Sequence, residues 1–144
     1  SQARRVGVPT PVVRDVDLRE ATLTLQRVGD VDLAAAPTPS RARSVGEGLA
    51  RIHAAGFVHG DPTTRNVRVD RETDRVFLID FGLGYHTGHL EDHAMDLHVF
   101  EQSVLGTTVD PESLVDALEE GYAAVGEPAV LDRLREIEGR GRYQ

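Results

Sequence analysis

The apolar positions of this chain change period along its length, which predicts a little sheet first and a mostly helical body after it. Ser1 to Gly7 reads as the last turns of a helix, ended by the glycine and by Pro9 and Pro11. Val12 to Asp17 and Ala21 to Val28 read as two strands joined by a short polar turn. In the second, Leu23 and Leu25 alternate with Thr22, Thr24 and Gln26. Gly29 breaks that pattern, and Pro37-Thr38-Pro39-Ser40 punctuates a connector. Ser40 is the expected N-cap of a helix to about Ala55, with Val45, Leu49, Ile52 and His53 along its inward face and Gly56 at its end. Phe57 to Val69 fits neither period and predicts a loop, while Val76-Phe77-Leu78-Ile79 predicts a short buried strand. Helical spacing then runs from Glu91 to Leu105, with Met95, Val99 and Ser103 opposite Leu97, His98 and Glu101. Asp110-Pro111-Glu112 opens a helix to about Val125, and Glu127-Pro128 opens one to Glu138. Gly139 to Gln144 predicts a mobile tail.

Three short strings stand in an informative order. His59-Gly60-Asp61 is followed by Asn66, Asp80-Phe81-Gly82 comes directly after the apolar strand, and a helix containing Asp96 follows. Phosphoryl transfer asks little covalent chemistry of a protein. It needs a carboxylate to orient the attacking group and oxygen ligands to hold magnesium against the phosphates. Asp61 suits the first task. Asn66 offers a neutral oxygen, and Asp80 an anionic one at a strand end; magnesium takes such a small protein ligand set together with substrate phosphates. A lone Asp-Phe-Gly is ordinarily a strand end and turn, and a lone His-Gly-Asp an ordinary loop. Their order and spacing, with the helix before them and the strand between, make the combination specific.

Charge narrows the partners. The chain has 24 acidic residues against 16 basic ones, all arginine, for a net charge of −8. That balance opposes broad attraction to nucleic acid and fits a surface adapted to high salt. Cysteine is absent, which excludes disulfides and thiolate metal sites. His86 and His89 have metal-like spacing but no clear third ligand, so zinc is not expected at these or at His53 and His98. No apolar run is long enough to span a membrane, and a soluble, cytoplasmic protein is expected.

His59-Gly60-Asp61-Pro62-Thr63-Thr64-Arg65-Asn66 resembles the HGDLTTSN loop of the atypical serine/threonine kinase/ATPase subunit of the KEOPS tRNA threonylcarbamoyl-adenosine modification complex. Glu91-Asp92-His93-Ala94-Met95-Asp96-Leu97 resembles that family's Glu-Asp helix start, and the short span from Asp80 to Glu91 is similar to its abbreviated activation segment. The resemblance extends from Gly7-Val8-Pro9-Thr10-Pro11 to the closing Gly139-Arg140-Gly141-Arg142. It implies an α+β, protein-kinase-like fold: a mostly helical C-lobe over residues 31–138, preceded at 1–30 by the last strands and hinge of an N-lobe, and closed by a basic tail at 139–144. It also implies ATP and Mg2+ as cofactors, Asp61 as the catalytic base-like residue, and Asn66 and Asp80 as metal ligands. Gln26, Arg27 and Val28 would meet the adenine. His59 would buttress the Asp80 segment, and Asp96 would accept from the loop backbone. The implied partners are the threonylcarbamoyl transferase and other KEOPS subunits, with a tRNA contact through the tail.

Pro62, Arg65 and His93 depart from the family pattern, which loosens what it implies about the loop's conformation and substrate contacts. The phosphate-covering loop, strand lysine and helix glutamate of a kinase upper lobe are not found, so an N-terminally truncated member is expected. Arg14 and Arg27 have no spacing that would make either a substitute for the lysine. Two functions stay open: an ATP-dependent kinase or ATPase, and a weak or inactive lobe that docks onto the transferase subunit. A small-molecule phosphotransferase is set aside, because only nine residues, Val67 to Arg75, separate Asn66 from the next strand.

Overall fold

The structure, a computed structural model, describes residues 1–142, with side chains to Arg140. A short helix α1 (Gln2–Arg5) precedes an antiparallel ribbon of β1 (Val13–Asp17) and β2 (Thr22–Leu25), in register Val16↔Leu23 with an irregularity between Val13 and Asp15. A second sheet has the order β3-β4-β5, all antiparallel, built from β3 (Val31–Asp32), β4 (Val67–Asp70) and β5 (Arg75–Leu78). The helices are α2 (Pro39–Ala54), α3 (Leu90–Thr107), α4 (Pro111–Val125) and α5 (Pro128–Arg142). Among the described residues, no helix is long and apolar enough to cross a membrane.

Proline sets three of the helix starts. Pro39, Pro111 and Pro128 each begin a helix, where a fixed φ is pre-organised and the missing N–H would have no partner anyway. This moves the cap of α2 from the expected Ser40 to Thr38, whose hydroxyl accepts from the Arg41 N–H at 3.2 Å. The fold differs from the sequence reading elsewhere too: the second strand ends at Leu25 rather than Val28, and Val31–Asp32, where no strand was expected, is β3. Val67–Asp70, inside the expected loop, is the central strand β4, with Val67 and Val69 fully buried opposite Leu78 and Val76. The expected tail at Gly139 is helical through Arg142, and Arg140 pairs with Glu91 of α3, which Arg133 also reaches at 3.1 Å. Tyr143 and Gln144 lie outside the described residues.

The core is formed where α2 lies along α4, with Leu49, Ile52, Leu118 and Tyr122 buried between them. The helices approach so closely that a Cβ on Gly46 or on Gly121 would stand 2.1 Å from the other helix's backbone. The β1–β2 ribbon is the opposite case. Val13, Val16, Leu23 and Leu25 are all exposed, and Leu18 at the turn is 88% exposed.

Two side-chain carboxyls of α3 are buried, Asp96 and Glu101, and the second has acidic neighbours. Glu101 of α3 is buried where Glu119 of α4 and Glu138 of α5 converge on it, with Arg135 paired to Glu119 at 2.9 Å. Burial first, then the contacts with Glu138 and Glu119, push its carboxyl up to about 10. The folded chain therefore holds a proton that the unfolded chain releases near the ordinary value of 4.5. This group's contribution is full below that value and is lost as pH rises towards about 10. Glu101→Gln keeps a neutral hydrogen-bonding group and removes the ionisation. Its stability relative to wild type is expected to rise by up to about 1 kcal/mol per pH unit across that window. Denaturant unfolding at pH 5, 7 and 9 checks this; parallel curves for the two proteins would refute it.

Candidate active site

The loop between α2 and β4 is fixed from beneath by one side chain. Asp96 of α3, 3% exposed, accepts the backbone N–H groups of His59 (2.8 Å, to Oδ2) and Gly60 (2.9 Å, to Oδ1). His53 of α2 donates to the same carboxylate from Nε2 at 2.7 Å. Its other nitrogen lies 2.7 Å from the Tyr122 hydroxyl of α4. Burial holds the His53 imidazole below its ordinary pKa against the pull of Asp96, so it carries one proton: Nε2 donates and Nδ1 accepts from tyrosine. Burial, and then Asp96, raise the Tyr122 hydroxyl's pKa, which keeps it a donor. His93 stacks on His53 with centroids 4.5 Å apart and donates from Nε2 to the Thr87 carbonyl. A buried carboxylate survives only when its lone pairs are filled, and Asp96 has three donors from two elements.

His59 joins this loop to the Asp80 segment. Its Nε2 donates to the Ile79 carbonyl at 2.7 Å, its Nδ1 accepts from the Asp61 N–H at 3.2 Å, and its ring leans on Phe81 with centroids 4.4 Å apart. One nitrogen faces an acceptor and the other a donor, which fixes a single neutral tautomer. Burial, the largest influence, lowers its pKa in keeping with that state. Gly60 sits at φ +92°, and a Cβ there would lie 2.2 Å from the Leu83 carbonyl oxygen. The segment after Asp80 thus packs directly on the loop, and only glycine leaves it room.

Asp61, Asn66 and Asp80 are gathered by short backbone links. The Asn66 amide donates to the Asp61 carbonyl at 2.9 Å and to Asp61 Oδ2 at 3.2 Å, and the Asn66 carbonyl accepts from the Ile79 N–H at 3.0 Å. With its NH2 committed to Asp61, the Asn66 Oδ1 has no protein donor among the described residues. Asp80 is exposed and sits at φ +60°, a left-handed conformation that strains a non-glycine residue and is kept where the surroundings impose it. Both polar backbone atoms of Ile79 are tied, one to His59 and one to Asn66, which supplies that imposition. Among the described residues no three His, Asp or Glu side chains converge as a metal cage. Asp80 on the wall of an open cavity, with the Asn66 Oδ1 in the loop linked to its segment, is a small oxygen set of the kind that suits a magnesium ion arriving with phosphates.

That cavity, of about 850 Å³, lies between the β1–β2 ribbon and the Asp80 segment. Gln26, Arg27 and Val28 all line it. Gln26 is partly committed, since its N–H donates to the Val12 carbonyl at 2.7 Å and its Oε1 accepts the Val12 N–H at 3.2 Å. Sequence reasoning did not assign roles to several residues here. Thr64 is buried, and its hydroxyl meets those of Ser103 and Thr107 of α3, each at 2.9 Å, pinning the loop's 3-10 turn Thr64–Asn66. His53 on the inward face of α2 was the one available signal for the Asp96 relay; nothing in the sequence points to Tyr122 or Ser103.

A strand-end aspartate beside a loop that hangs from a helix carboxylate, over a mostly helical body, belongs to a protein-kinase-like fold. No family model matches the chain. It is 38% identical over 144 residues to the "Probable serine/threonine-protein kinase BUD32 homolog" of Archaeoglobus fulgidus, covering 99% of the chain and 72% of that protein. The chain belongs to the BUD32 family of kinase-like proteins. It is also 63% identical over 145 residues to the "Probable bifunctional tRNA threonylcarbamoyladenosine biosynthesis protein" of Halobacterium salinarum, covering 100% of the chain and 27% of the relative. The protein of the same description from Methanosarcina mazei is 42% identical over 145 residues. The chain spans about a quarter of the length of these bifunctional relatives. Among solved structures, the granulovirus kinase PK-1 of Cydia pomonella matches 60% of the chain and 37% of its own at a TM-score of 0.49 and 21% identity, too slight a likeness to carry an argument.

Proposed function

We propose that this chain is the catalytic lobe of an ATP- and magnesium-dependent phosphoryl transferase, a Ser/Thr kinase or ATPase, that serves tRNA threonylcarbamoyladenosine formation. The observation that carries this reading is that Asn66 joins Asp61 through its amide and the segment leading to Asp80 through its carbonyl, with Asp80 itself on the wall of the cavity. Asp61 orients the attacking hydroxyl or water, with its carboxylate aimed by the Asn66 amide. Asn66 Oδ1 and Asp80 are the oxygens that would hold Mg2+, which when bound neutralises phosphate charge. The hinge residues Arg27 and Val28 frame the base end of the cavity. The names of the long relatives, and an acidic lysine-free surface shared with a salt-adapted way of life, support a cytoplasmic role beside a threonylcarbamoyl transferase and other KEOPS subunits. A tRNA contact would fall to the arginines at the end of α5, of which Arg140 is already engaged by Glu91.

The second reading, a docking lobe without catalysis, is favoured by the exposed apolar ribbon and by the absence of any lysine to clamp phosphates. Magnesium-dependent ATP binding and hydrolysis, measured in high salt with and without the transferase subunit, separates the two. The expected result is turnover that requires magnesium. Partner binding with no nucleotide binding in either condition would leave the docking reading.

A further inference from the structure

Arg68 is out of keeping with its surroundings. Its strand neighbours Val67 and Val69 turn inward and are fully buried, so the alternation of β4 places Arg68 on the other face, at the wall of the large cavity. That wall is otherwise largely apolar, with Val13, Leu25, Val28 and Ile79 close by. The guanidinium belongs to no ion pair among the described residues. Among the described residues its one hydrogen-bond partner is the Val28 carbonyl, which accepts from Nε at 3.3 Å. A cation half-buried against apolar side chains is costly unless something suited to a flat, weakly hydrated, delocalised charge covers it.

Resting on the phosphoryl-transfer reading, we infer that Arg68 is a base-stacking residue: its guanidinium plane takes the face of the nucleobase of a bound nucleotide. The anchoring favours the base over the phosphates. Nε is fastened to the Val28 carbonyl, in the Gln26–Val28 segment that would meet the adenine, while Asp80, which would meet metal and phosphates, lines the same cavity from the segment after β5. Planar guanidinium groups stack on aromatic faces, and every base offers one. Fastening at Nε holds the side chain in place before a ligand arrives, and the remaining four N–H donors stay free for the rim of the base or for water. Arg68 also takes an acceptor from the hinge, so a purine amino group finds the Val28 carbonyl already shared.

The test compares binding of adenosine and of Mg-ATP to the full chain, as wild type, Arg68→Ala and Arg68→Lys, with an unfolding curve for each. Stacking predicts that Arg68→Ala weakens adenosine and Mg-ATP by the same factor, about tenfold. Lysine keeps the charge and loses the plane, so it is expected to restore neither. A loss confined to Mg-ATP, or full rescue by lysine, assigns Arg68 to the phosphates and overturns the inference. Unchanged affinities in both variants overturn it too, while the phosphoryl-transfer reading stands. A wild type that binds neither ligand removes that reading and this one together.

Discussion

Asp61→Asn is expected to lower turnover by about a hundredfold to ten-thousandfold while leaving Mg-ATP affinity within a few-fold of wild type. The side-chain oxygen that Asn66 reaches survives the substitution, and the loop's fastening runs through backbone groups, so the architecture stays. What disappears is the charge proposed to orient the attacking group. Asp80→Ala is expected to fail at an earlier stage: nucleotide still enters the cavity, but magnesium no longer strengthens its binding and turnover vanishes. Steady-state kinetics paired with nucleotide titrations at fixed and absent magnesium resolve the two patterns. Unchanged turnover in either variant would mean that the residue does not serve phosphoryl transfer.

The second large effect is steric. Gly60→Ala places a methyl group 2.2 Å from a backbone oxygen of Leu83 at a φ of +92°, and neither chain can move without breaking the links to Asp96 or Ile79. A cost of about 3 kcal/mol or more is expected, together with loss of activity. Gly56 supplies the control. Its φ is +88°, yet a Cβ there meets nothing within 4 Å, so Gly56→Ala isolates the conformational penalty, about 1 to 2 kcal/mol. Denaturant unfolding of the two variants should separate them clearly. Equal losses would show that the contact with Leu83 is not what demands glycine at position 60.

The main helices were legible because each has its own local signals. A proline at the first turn and spaced apolar positions point to α4 and α5, with the Asp110 side chain capping α4, without reference to anything distant. For α2 the same signals were present but read two residues late, because Pro39 was taken as part of a connector rather than as the first helical residue. Strand β4 was missed for a different reason. Its alternation covers four residues beside an irregular loop, and only pairing with β3 and β5 makes it a strand. Asp61, Asn66 and Asp80 could be singled out because each belongs to a short local string, His59-Gly60-Asp61 with Asn66 five residues on and Asp80-Phe81-Gly82 directly after an apolar run. The apparatus that holds them could not: His53 and Asp96 lie 43 positions apart, and His53 and Tyr122 lie 69 apart. Such contacts depend on how α2, α3 and α4 pack, which no local pattern states. Arg68 was passed over with the strand that carries it, since in an expected loop an arginine between two valines has no assigned face.

Loops that carry chemistry are often among the first parts of a protein to open, since few contacts hold them. Here the amides of His59 and Gly60 are bonded to a carboxylate sealed among α2, α3 and α4. Releasing either would expose Asp96 with lone pairs unfilled and would disturb the packing that buries Tyr122. Fraying of this loop is thereby coupled to separation of the helices, so it opens only when the whole body does. Any slow motion around the cavity then belongs to the ribbon above, where β1 and β2 have few neighbours and expose their apolar side chains.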